Sequence, residues 1–409
     1  MPVASPWYDR TMGLGTVSEP TDDQVRTGAA PSWGLYVHIP FCPYKCAYCD
    51  FVAVGGGARV GAWHGPYLEA LRREAAYWRG RLAPVPPASV FYGGGTPTAI
   101  GASALAALHR DLIRCFGVVP GAEVSVECNP GTVDAEGMAQ LAAAGVGRVS
   151  IGLQASQDHL LTAVGRYHGW ADFTVAFAAA RAASLEVNVD LMYGLPSQDL
   201  DAWRVTLERV VALRPDHVSA YGLQVEQGTP LAHRVASGAV RLPDEETVAL
   251  QFGLARRVLG GGGYEHYEIS NFALPARRCR HNLLYWSNGD YLGLGIGAHS
   301  HWRGERWANT ARLAVYRDTT ARADGGWVAS REPPDPARAR SEGAFLGLRL
   351  LEGIDLDVYA LRYGMPLDAA FPGVAADLER RGLCERTPGR LRLRSEAVAV
   401  ANGAFAAFV

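Results

Sequence analysis

Three cysteines fall within eight residues, in Cys42-Pro-Tyr-Lys-Cys46-Ala-Tyr-Cys49, a C-x3-C-x2-C spacing that puts three thiolates on one loop and supplies no fourth. Three thiolates can hold three irons of a four-iron, four-sulfur cubane and leave the fourth iron open to a small ligand. Structural zinc normally wants four closed ligands, and His38 is the candidate for a fourth. Alternation of side chains along the strand that holds His38 weighs against that reading, because the strand needs its own register. The chain carries seven cysteines, an odd number, and the crowding of three suits metal or redox chemistry in a reducing compartment better than a disulfide framework. Cys115, Cys128 and Cys384 read as small buried apolar residues, whereas Cys279 stands two residues before His281 and could offer a thiolate.

The elements that must position this loop are legible from periodicity. From residue 34 to about 272, short β-rich runs (34–40, 89–93, 123–129, 148–154, 186–193 and 217–225) alternate with amphipathic helical stretches (67–78, 103–116, 135–144, 173–183 and 202–213). Six such units on a parallel sheet predict an α/β fold, a partial (β/α)6 barrel, with a doubly wound open sheet as the competitor. The barrel is favoured because polar and glycine residues gather where each strand ends, which is where a βα barrel assembles its site. The cysteine loop follows the first strand and Gly93-Gly94-Gly95-Thr96-Pro97 the second; Glu127 and Asn129 close the third, Gln154 the fourth, Asp190 sits late in the fifth, and Gln224 and Glu226 end the sixth.

Cys42, Cys46 and Cys49 resemble the signature of the radical S-adenosylmethionine (SAM) proteins, in which SAM's amino and carboxylate groups chelate the open iron and an aromatic residue at the position of Tyr48 lies beside the adenine. The glycine run with Thr96 resembles the family's strand end, where missing Cβ atoms let the backbone approach SAM's methionine moiety. Within that family the chain is similar to the coproporphyrinogen III oxidase-like branch. The resemblance implies a [4Fe-4S] cluster on the three cysteines, an electron donor for it, and SAM contacts at Tyr36, Gly94, Gly95, Thr96, Glu127, Gln154, Arg166 and Asp190. The oxygen-independent oxidases of the branch carry a further cysteine two residues beyond the third ligand, where this chain has Phe51.

His281-Asn-Leu-Leu-Tyr285-Trp286 resembles the H-N-x-x-Y-W motif of the branch's HemW-like heme chaperones. That likeness implies heme as a ligand, His281 as a candidate for its iron, and heme-accepting proteins as partners. An imidazole can ligate heme iron while aromatic side chains cover the macrocycle, although a His, Tyr and Trp so spaced can equally pack a helix end on the barrel. The oxidase activity of the branch stays as the alternative. Glycines 293, 295 and 297, followed by His299, predict close backbone approach there.

The expected organisation is a disordered tail over 1–32, the barrel over 33–275, a connecting segment over 276–336 that carries the H-N-x-x-Y-W motif, and a winged-helix-like α+β module over 337–409. The module reads as helices over 338–351, 356–363 and 374–381, a hairpin near Pro388-Gly389, and a last helix. A net charge of -2 gives no electrostatic reason for nucleic acid or an anionic membrane as the main partner. The first thirty residues lack the apolar core of a secretory signal and no later stretch is long enough to span a bilayer, so a cytoplasmic protein is expected.

Overall fold

In the computed structural model, which describes residues 33–82 and 85–409, six parallel strands follow one another across a single sheet. They are β1 (Trp33–Ile39), β2 (Ser89–Gly94), β3 (Glu123–Cys128), β4 (Arg148–Gln154), β5 (Glu186–Tyr193) and β6 (His217–Gly222). The expected tail over 1–32 lies outside the described residues. Strand order is sequential, and a run of right-handed crossovers in one direction puts all the connecting helices on one face, whereas a doubly wound sheet would reverse its order partway. Those helices are α1 (Gly57–Arg79), α2 (Ala102–Phe116), α3 (Ala135–Ala143), α4 (Trp170–Ala182) and α5 (Leu200–Leu213), with α6 (Glu245–Gly261) after β6. Because β1 and β6 do not pair, the barrel is partial.

Side chains alternate along each strand, and the two faces differ in chemistry. Val124 and Val126, Val149, Ile151 and Leu153, and Val187, Val189 and Leu191 enter the main hydrophobic core. The intervening residues, Ser125 and Glu127, Ser150 and Gly152, Asn188 and Asp190, His217 and Ser219, line the barrel interior. Register keeps them level: Glu127 pairs with Ser150, Gly152 with Asp190, and Asp190 with Ser219.

Three elements differ from the sequence expectation. Helix α1 starts at Gly57, ten residues before the expected 67, and runs through Pro66. Glycine and proline there mask the helix, and its stability comes from the buried face of Tyr67, Leu71, Ala75 and Trp78. The 276–336 segment is more than a connection. After α7 (Arg280–Trp286), β7 (Asp290–Leu294) lies parallel to β1 on its free side, and β8 (His299–Trp302), β9 (Glu305–Asn309) and β10 (Val328–Glu332) continue the sheet antiparallel. Strands of four or five residues with Gly, His and Trp in them lack the sustained alternation that would reveal them. The last helix, finally, is a series of short turns, Ser395–Val400, Asn402–Phe405 and Ala406–Phe408.

The C-terminal module packs α9 (Pro336–Gly347), α10 (Leu356–Tyr363) and α11 (Val374–Arg380) on a three-stranded antiparallel sheet around Leu348, Tyr359, Leu378 and Leu391; α8 (Leu313–Thr320) precedes β10 in the main sheet. Asp335 caps α9 by accepting from the Ala337 amide, with Pro336 at the first helical position. The module is tied to the barrel by the Arg306–Glu342 ion pair and by Arg362, whose guanidinium donates to the Ser287 and Asn288 carbonyls.

Candidate functional site

Cys42, Cys46 and Cys49 sit on the loop after β1, on the wall of a cavity of about 480 Å³ inside the barrel. Backbone hydrogen bonds clamp the loop from several sides: Val54 N–H to the Pro40 carbonyl (2.7 Å), Ala47 N–H to Val164 (3.0 Å) and Leu231 N–H to Ala47 (2.8 Å). Burial pushes the Cys42 thiol up, opposed by the Thr96 hydroxyl donating to its Sγ at 3.6 Å and reinforced by the neighbouring Cys46 and Cys49. Burial also raises Cys49. Burial holds Cys42 and Cys49 as thiols, so a bound cationic centre is needed to keep them as thiolates. His38 does not complete a zinc site: its Nδ1 faces the Tyr36 hydroxyl (3.1 Å), its Nε2 meets the Val52 carbonyl (2.8 Å), and only 6% of it is exposed.

Opposite the loop, the strand-end residues form one hydrogen-bonded set. Asn129 donates from Nδ2 to Thr96 Oγ1 (2.8 Å) and accepts on Oδ1 from Arg166 (2.5 Å), whose other amino group donates to the Tyr48 hydroxyl (2.9 Å). The Arg166 Nε is buried with no partner among the described residues, a donor open to an added acceptor. Gln154 reaches the set through a bulge in β4 that turns its backbone to φ 73°, and Gly152 leaves the room, since a Cβ there would stand 2.8 Å from Asn129 Oδ1. Deeper in, Glu127 accepts from the Gly94 amide at 3.1 Å; burial and the charge of Asp190 push its carboxyl up to about 8. Asp190 is raised by burial as well and is held by Ser150 (2.7 Å) and Asn188 (2.7 Å).

The cavity therefore brings together Tyr36, Cys42, Cys46, Cys49, Gly94, Gly95, Thr96, Glu127, Gln154, Arg166 and Asp190. The glycine run has a reason besides ligand approach. A Cβ on Gly94 would stand 2.4 Å from the His38 ring and one on Gly95 2.7 Å from the Pro40 backbone, so these glycines let β2 close on β1 and the cysteine loop. Likewise Gly295 admits the Tyr67 hydroxyl and the His38 carbonyl, and Gly297 admits Val52, so the later glycines approach the protein's own backbone and side chains.

His281 lines the same cavity, at its end near the start of β2. Its Nδ1 is 2.8 Å from the Ser89 hydroxyl, its Nε2 2.8 Å from the Tyr285 hydroxyl, and its ring stacks on Phe91. It is 1% exposed, and burial holds it neutral with a pKa pushed down to about 3. This conformation does not fit the expectation of an iron ligand, because neither ring nitrogen is free; the alternative of a helix end packed on the barrel describes it. The sequence reading places Asn129 at the end of the third strand but gives it no role; here it joins Thr96 to Arg166.

Residues 36–210 match the Radical SAM superfamily and residues 335–400 the HemN C-terminal domain. The chain is 34% identical to the heme chaperone HemW of Bacillus subtilis over 91% of this chain and 98% of that protein. It is 36% identical to the heme chaperone HemW of Mycobacterium tuberculosis over 90% of this chain and 93% of that one. Its fold matches the solved coproporphyrinogen III oxidase (HemN) of Escherichia coli with a TM-score of 0.81 at 22% identity, covering 92% of this chain and 90% of that one.

Proposed function

Since this chain belongs to the radical SAM superfamily and, within it, to the HemW family of heme chaperones, we propose that it takes up heme in the cytoplasm and hands it to heme-accepting proteins, with a [4Fe-4S] cluster and SAM bound in its barrel. Cys42, Cys46 and Cys49 hold the cluster. The observation that carries the SAM site is the cavity behind those thiols, where the fixed guanidinium of Arg166 keeps one donor unpaired beside Tyr48, Asn129 and Gln154. A bound and reduced cluster supplies one electron to a sulfonium, and it receives that electron from a separate donor protein.

The chain's own residues do the binding and orientation. Arg166 and Gln154 present donors to the nucleotide's polar edge, Tyr36 and Glu127 bound the methionine end next to Gly94, and Thr96 orients Cys42 through its hydroxyl. Glu127, protonated near neutral pH, can donate as well as accept. Among the described residues no helix is long and apolar enough to cross a membrane.

The competing oxidase reading draws on the shared fold. Against it stands Phe51, 65% exposed, in the place of that branch's additional cysteine. The test is anaerobic reconstitution followed by iron and acid-labile sulfide assay, hemin titration, and incubation with SAM, reductant and coproporphyrinogen III. The expected outcome is a four-iron cluster absent from the Cys42→Ala, Cys46→Ala, Cys49→Ala triple variant, a hemin complex that survives gel filtration, and no protoporphyrinogen. Iron content unaffected by the triple substitution sinks the cluster assignment, and sustained protoporphyrinogen production sinks the chaperone reading.

A further inference from the structure

A second cavity of about 760 Å³ opens between α7 and α9, beside the barrel cavity; Tyr36, Phe51 and Tyr285 line both. Its volume lies in the range of cofactor-sized sites. Tyr285 and Trp286 come from α7, Tyr291 from β7, and Phe345 and Leu346 from α9, giving an aromatic and aliphatic wall, while Asp50, Glu332, Glu342 and Arg306 bring charge to the rest of the lining. Phe51, on the cysteine loop, turns most of its ring to solvent, and a flat apolar ligand would cover it.

Two histidines reach this groove. His38 has both nitrogens engaged. His299, the first residue of β8, is exposed, and its imidazole has no hydrogen bond among the described residues. Its backbone is fixed by the strand pair with Ala308, and a Cβ on Gly293 would stand 2.1 Å from its carbonyl oxygen, so the donor stands on a rigid element. An aromatic wall with one free imidazole beside it is the chemistry of an iron porphyrin site: flat faces are covered by aromatic rings while a neutral nitrogen binds the metal.

We propose that heme occupies this groove with His299 as its axial ligand, a site that rests on the heme-chaperone reading and gives it a place. The groove's cation, Arg306, is committed to Glu342 at 2.8 Å, so the propionate edge faces solvent, as suits a cargo that must leave. Phe51, two residues beyond Cys49, makes the cysteine loop one wall of the heme site.

The test uses full-length protein with its cluster reconstituted anaerobically and hemin as the probe. His299→Ala should shift the Soret maximum and weaken hemin binding at least tenfold with iron and sulfide content unchanged, and added imidazole should restore the native spectrum in His299→Gly. Leu346→Trp, which fills the groove, should weaken binding while leaving the ligation spectrum of the residual complex native. An unchanged Soret band and affinity in His299→Ala overturn the assignment, as does a loss confined to His281→Ala with the cluster intact. Wild-type protein that binds no hemin overturns the chaperone reading itself, and this site with it.

Discussion

Arg166 illustrates how much of the site one residue organises. Its two amino groups are pinned by Asn129 and Tyr48, and its Nε is left for a ligand, an arrangement that needs the planar fork of a guanidinium. Lysine at this position keeps the charge and loses the fork. Arg166→Lys should therefore weaken SAM binding about tenfold, ~1.4 kcal/mol, by calorimetry on cluster-loaded protein, with iron content unchanged. Equal affinity in the variant would show that the guanidinium only braces the wall.

At the scale of elements, helix α1 is joined to the turn between β7 and β8 by a buried carboxylate. Glu74 accepts from Asn309 (2.7 Å), the Gly295 amide (2.8 Å), Tyr316 (2.5 Å) and Trp78 (3.3 Å). Burial outweighs these donors and pushes its carboxyl from 4.5 up to about 7. Between those values the folded chain holds a proton that the unfolded chain has released. Its contribution to stability is complete below about pH 4.5 and drains away as pH rises through about 7. Glu127 tilts stability the same way, so the informative quantity is the difference between wild type and Glu74→Gln. The thermal midpoint of the wild type should fall more steeply from pH 5.5 to 7.5 than that of the variant, and parallel curves would count against a proton on Glu74. The same junction sets the glycine turn against His38 and Val52 and so fixes the strand that offers His299.

For the whole molecule, the decisive relation is between the barrel and the C-terminal module, whose α9 forms one side of the proposed heme groove. Arg306 and Glu342 join them through two 2.8 Å hydrogen bonds, with side chains 22% and 14% exposed. Glu342→Ala leaves a largely buried guanidinium with only the neutral partners Asn288 and Tyr291 and should cost about 2 kcal/mol, seen as a lower thermal midpoint and faster proteolysis of the segment around residue 335, with cluster content retained. Unchanged proteolysis would mean that the apolar contacts alone hold the module.

The amino-acid sequence by itself determined the cysteine loop, the six parallel strands and the placing of polar residues at their ends, because thiolate spacing and a period-two pattern are local properties of the chain. It also carried the alternation of valines with Ser125, Glu127, Asn188 and Asp190 that makes the barrel's interior polar. What the histidines do was decided only by tertiary structure. His281 meets Ser89 across 192 residues of chain and loses its free nitrogens there, while His299 is left bare where β8 and α9 face each other. Whether an imidazole is free depends on which distant groups desolvate and hydrogen-bond it, and no spacing between neighbours in the chain records that.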